Sequence, residues 1–256
     1  MVKGLYTAYT GMINEQNRMD VLTNNLANAD TNGYKKEGAT SQSFDSVLAY
    51  KIKDASISPN IPHGIGVANL GVKVGENYVD YSQGAFRVTS NTYDFALSGE
   101  GFFNVEFTDK EGNTSTKYTR DGSFVVDTDG FLVTKDGDFV LGSTGKIKLD
   151  PTQDVTCDTQ GNIFQNNRRV ATIKLTDFED YDYLEHYGEN YYQPVDGATE
   201  KAAKATVNQG YLEASNVQVV QEMVEMISVS RQYESNQKLI TTIDDSLGVA
   251  TALGKV

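Results

Sequence analysis

The chain has 256 residues, 39% of them apolar, with 15 Tyr, 11 Phe, no Trp and a net charge of -13. It has room for one large domain or two to three small ones. No run approaches the ~18 apolar residues of a membrane span, and an acidic surface argues against nucleic acid, whose backbone needs a basic face.

The charge is unevenly placed. Residues 1–60 balance six basic against six acidic side chains, residues 61–210 carry 13 against 23, and residues 211–256 carry three against six. The ends can approach copies of themselves with little repulsion, whereas the middle prefers solvent. The start, MVKGLYTAYTGMINEQ, has neither the apolar centre nor the cleavage site of a signal peptide. The expectation is that the N-terminus is kept, whatever route the protein takes.

Residues 1–29 read as a helix. Leu5, Met12, Met19 and Leu26 recur every seven residues, and Ala8, Leu22 and Ala29 follow three residues after three of them. Such a repeat makes a narrow stripe that needs a partner helix. Gly11 weakens it by about 1 kcal/mol relative to Ala. The run Asn24 to Lys36, NNLANADTNGYKK, is rich in turn formers and closes the helix. Residues 31 to about 80 then read as an extended linking region. Phe44, Val47 and Leu48 allow a helical turn or two, and Ser56 to Gly66 holds two of the four prolines.

From Val79 to Leu175 the period changes to two. Residues 94–98, 102–107, 123–126, 131–133, 139–141 and 170–175 predict short strands, with Ile147, Leu149, Val155 and Cys157 continuing the alternation. Asp-Gly turns between them indicate an antiparallel sandwich or partly open barrel. A Tyr-rich stretch, Asp177 to Tyr192, and a small polar one, Ala198 to Val207, lead to the C-terminal helix.

That helix is predicted from Asn216 to Leu253, with Ser215 and Gln218 as a capping box. Val219, Met226, Tyr233, Ile240 and Leu247 repeat every seven, with Val229, Ile243 and Ala250 three residues after members of that row. At 1.5 Å per residue it is roughly 57 Å long, so it must lie against something outside an ordinary core. The expected fold is α+β. The N- and C-terminal heptad helices, residues 1–30 and 211–256, pair as a coiled-coil-like unit, and an antiparallel mainly-β domain, residues 81–210, is inserted between them. The two heptad rows, Leu5, Met12, Met19, Leu26, Val219, Met226, Tyr233, Ile240 and Leu247, are the expected assembly interface.

Catalytic chemistry is not legible. His63 and His186 have no motif around them, Cys157 has no His within its element, and no nucleophile, phosphate-loop or paired-cysteine signature appears. Asp127, Asp129 and Gly130 begin like a calcium loop, but the third ligand position and the closing Glu are missing, so turn chemistry is the better reading. No metal or cofactor is expected. Tyr181, Tyr183, Tyr187, Tyr191 and Tyr192 could stack on sugars, which leaves a surface adhesion or glycan-binding module as the alternative function.

NNLANADTNGYKK, LSGEGFFNVE (Leu97 to Glu106), YTRDGSFVVDTDGFLV (Tyr118 to Val133) and LEASNVQVVQEMVEMISVSRQYESN resemble, in that order, the signatures of the flagellar basal-body rod and hook protein family. The length suits a rod member, the distal type ahead of the proximal. The resemblance implies a structural subunit without an active site. It would be exported unfolded by the flagellar type III apparatus without cleavage, then added to copies of itself in a helical tube. Its partners would be neighbouring rod and hook proteins, and it would carry torque through the cell envelope.

Overall fold

The computed structural model describes residues 2–45, 47–51, 63–69, 71–110, 112–188 and 190–253. The chain forms two compact units. One comprises residues 1–27, 37–79 and 218–256, the other residues 28–36 and 80–217.

The first unit contains both long helices. α1 spans Val2–Ala27 and α2 spans Val219–Leu253. Neither holds a proline, and the Thr hydroxyls of α1 fold back onto the carbonyl four residues earlier, as Thr7 does onto Lys3 and Thr23 onto Met19. α1 stops two residues before the expected end, where Thr31 N–H donates to Asn28 C=O at 3.2 Å and turns the chain. α2 starts three residues later than the capping box implies. Ser215 Oγ takes the N–H of Val217, only two residues on, so it closes a local turn instead of capping the helix.

Part of the stretch read as a linking region is regular. Glu37–Ser43 pairs antiparallel with Val72–Val79, with an irregularity between Ala39 and Ser41 where Thr40 Oγ1 bonds both N–H and C=O of Glu76 at 2.8 Å. Val47–Lys51 pairs with His63–Ala68. Residues 52–62, most of the proline-containing connection, lie outside the described residues.

The second unit is mainly antiparallel β. Its largest sheet runs in the order Leu184–Tyr187, Tyr191–Pro194, Thr114–Thr119, Phe102–Thr108, Phe139–Gly142, Leu132–Val133 and Val125–Val126. Val155–Cys157, Asn162–Gln165 and Arg168–Thr172 form a meander beside it. Phe103, Leu132, Val140 and Ile163 of these strands build one core with Phe95 and Leu97 of the separate Phe95–Ser98 and Thr206–Gln209 pair and with Phe124 of a connecting loop. Each such side chain contributes about 1.5–3 kcal/mol when fully buried. A second aromatic layer stacks Tyr181 on Tyr81 at 4.8 Å and sets Phe102 against Tyr192 at 5.4 Å.

Candidate assembly surfaces

Within the first unit the two helices run side by side in opposite directions. A Cβ placed on Gly4 would lie 3.8 Å from Ile243 Cδ1, and one on Gly11 would lie 3.1 Å from Asn236 Nδ2. Arg18 Nη2 meets Glu225 Oε1 at 3.1 Å. Asn25 Nδ2 donates to the fully buried Glu222 at 3.3 Å and to Glu37 C=O at 2.7 Å. As the number rises by sevens on α1, the partner's number falls on α2. Glycines at 4 and 11 permit the close approach, and the polar pairs fix its register.

These contacts fall one residue before each of Leu5, Met12, Met19 and Leu26. Those four, with Met226, Tyr233, Ile240 and Leu247, are half-buried, whereas Val219 opens α2 and is 42% exposed. On α2 the less exposed positions include 222, 226, 229, 233, 236, 240, 243 and 247, alternating steps of four and three. The expected rows thus flank the contact line, with part of each side chain still in water.

Two apolar rows that the heptad reading passed over face away from that line. Tyr6, Tyr9 and Ile13 are exposed on α1, and Val220, Met223, Val224 and Ile227 are exposed on α2. Their spacing of i, i+3, i+4 and i+7 is a helical stripe. That signal was present in the sequence. Soluble monomers seldom leave such contiguous apolar patches bare unless they meet a partner.

The second unit gathers the segments through which the chain enters and leaves it. Gly33 N–H donates to Glu213 C=O at 2.8 Å, Asp80 N–H to Lys36 C=O at 2.8 Å, and Lys36 N–H to Asn216 Oδ1 at 2.7 Å. At the centre Lys35 Nζ lies 2.6 Å from Glu213 Oε1 and 2.8 Å from Ser82 C=O, with Arg120 Nη1 3.4 Å from Glu213 Oε2. Lys35, Arg120 and Glu213 are all buried. Burial lowers the Lys35 ammonium below its usual range, although Glu213 pulls it the other way. Gly33, at φ +70°, packs against the Arg120 backbone, where a Cβ would come within 2.5 Å of the carbonyl carbon.

The remaining candidates are occupied by packing. His186 Nδ1 is 2.9 Å from Gly188 C=O, and its ring meets Tyr192 edge-on. The side chain of His63 lies outside the described residues. Burial pushes the Cys157 thiol up to about 12. Asp127 accepts from Thr128 N–H and Gly130 N–H, closing a hairpin turn. Among the described residues no three His, Cys, Asp or Glu side chains are grouped to hold a metal, and no helix is long and apolar enough to cross a membrane.

The Tyr-rich stretch forms the Leu184–Tyr187 and Tyr191–Pro194 hairpin. Tyr192 is buried, Tyr181 donates to Asp177 at 2.7 Å, and Tyr191 to Asp138 at 2.9 Å. Only Tyr183 and Tyr187 of the five are exposed, which leaves little of the aromatic face a sugar would stack on. A polar cleft of about 280 Å³ beside Asp121 and Tyr191 has no His in its lining. Ser123 Oγ donates there to Asp121, whose carboxyl is raised by burial.

Three family models match the chain. Residues 5–35 match the flagella basal body rod protein model, residues 96–165 the flagellar hook protein FlgE/F/G D1 domain, and residues 208–253 the flagellar basal body rod FlgEFG protein C-terminal model. The chain is 34% identical to the flagellar basal-body rod protein FlgG of Buchnera aphidicola subsp. Schizaphis graminum, over 96% of this chain and 98% of that one. It is 33% identical to FlgG of Bacillus subtilis, over 96% and 97%, and 33% identical to FlgF of Caulobacter vibrioides, over the full length of both.

Proposed function

The chain belongs to the flagellar basal-body rod protein family, and from that premise we propose that its terminal helices join copies of it into the wall of a helical tube. It is a structural subunit of the rod. α1 and α2 pair as a coiled-coil-like element whose polar contacts set register, and the half-buried rows Leu5, Met12, Met19, Leu26, Met226, Tyr233, Ile240 and Leu247 complete their burial against neighbouring copies. Val219 joins them at the start of α2. The tube carries torque between motor and hook, its ends meet other rod and hook proteins, and the subunit arrives through the flagellar export apparatus. The role needs no turnover and no cofactor.

The observation that carries this reading is the pair of terminal helices whose outer faces keep their apolar side chains in water. Subunits that join head to tail without closing a ring cover such faces and grow a filament. The glycan-binding alternative has no comparable support, since three of its five tyrosines are turned into the β unit.

The test is deletion of the gene with complementation by the full chain or by a chain ending at residue 217. The expectation is loss of swimming, basal bodies without a complete rod in electron micrographs, and rescue by the full chain alone. Normal motility and complete rods in the deletion strain refute it.

A further inference from the structure

The outer rows of the two helices lie on opposite flanks of the helix pair. At roughly 100° per residue, Tyr6, Tyr9 and Ile13 point about 180° away from the Gly4, Gly11, Arg18 and Asn25 line that meets α2. Val220, Met223, Val224 and Ile227 point about 170° away from the Glu222, Val229, Asn236 and Ile243 line that meets α1. The rows are also offset along the pair. The matches of Gly11 with Asn236 and Asn25 with Glu222 put residues 220–227 beside residues 20–27 of α1. That is about 14 residues, or roughly 21 Å, from residues 6–13.

One chain therefore cannot bring its own two rows together. A two-fold dimer presses one flank on the same flank, so it would cover one row with its own copy and leave the other bare. We propose that the Tyr6, Tyr9, Ile13 row of one subunit docks on the Val220, Met223, Val224, Ile227 row of the next. The two copies point the same way and are staggered by roughly 21 Å along the helix axis. This rests on the rod reading above and names the surfaces by which one copy recognises another.

The chemistry of the rows suits this match. Two tyrosine rings offer flat apolar faces with a hydroxyl that stays wet at the rim, and Met223 adapts to them among three branched side chains. Each contact leaves the far flank of both copies open, so addition continues without closure. The rows hold three and four large side chains, well short of the ~800 Å² per partner of a stable pair. A lone contact is weak, and it holds where a polymer repeats it on both flanks.

The test places single cysteines in the full chain with Cys157→Ser, the sole native cysteine. Tyr9→Cys and Val224→Cys variants are expressed together in motile cells, rods are isolated, and a short bifunctional thiol reagent is added. Mixed 9–224 dimers are expected in rods, with none in dilute protein and none between two Tyr9→Cys copies. Complete rods without mixed dimers, or with 9–9 dimers in their place, overturn the pairing while leaving the rod role intact. Rods that lack this chain altogether overturn the rod reading, and the pairing with it. A second pair, Tyr6→Cys with Ile227→Cys, keeps the test decisive if the first variants do not assemble, and its failure to crosslink in complete rods also overturns the pairing.

Discussion

Replacing Glu213 with Gln should destabilise the β unit by about 3–5 kcal/mol, because it breaks a buried charge network from one side. Glu213 is 1% exposed and receives Lys35 Nζ at 2.6 Å, Gly84 N–H at 3.0 Å and Arg120 Nη1 at 3.4 Å. Gln keeps one acceptor oxygen for Lys35 and Gly84 but turns an N–H₂ toward Arg120, so donor faces donor. Two buried cations are left without a counter-charge. At about 2–4 °C per kcal/mol for a domain of this size, the melting temperature should fall by roughly 6–20 °C. Urea unfolding followed by tyrosine fluorescence measures it, with the m-value held constant. The loss should shrink as pH rises. The folded Lys35 pKa already lies below its unfolded value of 10.5 and falls further without Glu213. Between those two values the unfolded chain binds the proton and the folded chain does not, so stability rises with pH. Replacing all three groups together, Lys35→Met, Arg120→Met and Glu213→Leu, should recover most of the loss. A Glu213→Gln loss under about 1 kcal/mol, or one that grows with pH, refutes the argument that the network is held by mutual compensation of buried charge.

Gly33→Ala combines a left-handed backbone with a Cβ 2.5 Å from the Arg120 carbonyl carbon, so it should cost more than about 2 kcal/mol, counting the αL penalty and the clash; an unchanged urea midpoint would contradict this. Met226→Asp or Ile240→Asp should abolish assembly and swimming while the β unit keeps its circular-dichroism signature, since a carboxylate in a closing helical seam costs several kcal/mol per copy; normal motility in both would remove those rows from the interface. With its thiol at about 12, Cys157 should label only slowly at pH 8 in the folded protein and fully in urea; rapid labelling of folded protein would show the group is not held in its buried state. In dilute monomer, amides of residues 2–27 and 219–253 should exchange fast beside a protected β unit; strong protection of both helices in a verified monomer would exclude ordering coupled to assembly.

The helices were legible because their repeats are long and uninterrupted. The larger strands were legible as short apolar runs bounded by Asp-Gly turns, as in Phe139–Gly142, where half-buried and buried residues alternate. Thr114–Thr119 was missed because Lys117, Tyr118 and Thr119 are buried in succession, so no period of two survives. Glu37–Ser43 and Val72–Val79 were read as linking region because no residue of either is fully buried, which erases the alternation. The Tyr-rich hairpin mixes charges with aromatics and looked like a ligand face, yet its cross-strand partners bury Leu184 and Tyr192. The cluster of Lys35, Arg120 and Glu213 joins positions far apart in sequence, and local spacing carries no trace of it. The outer stripes were visible in the sequence, but the heptad row beside them absorbed the reading.

The composition of the helix contact line explains why these faces are left open. Opposite-running helices meet here through Gly4, Gly11, Arg18 and Asn25 on one side and Glu222, Asn236 and Ile243 on the other. Small and polar residues at such positions sacrifice stability and fix register, because a shifted alignment leaves Asn25 and Glu222 buried without each other. Val229, at 1% exposure, is the only apolar side chain of α2 that is fully buried among the described residues. A 35-residue helix with so little apolar surface hidden in its own chain gains little from propensity alone. On the proposed assembly, the contact line that specifies alignment within a subunit would leave the driving force for order to neighbouring copies. Under the assembly proposed above, burial deferred in this way is expected to tie helix formation to the addition of each copy, which is what fast amide exchange at both helices in a dilute monomer tests.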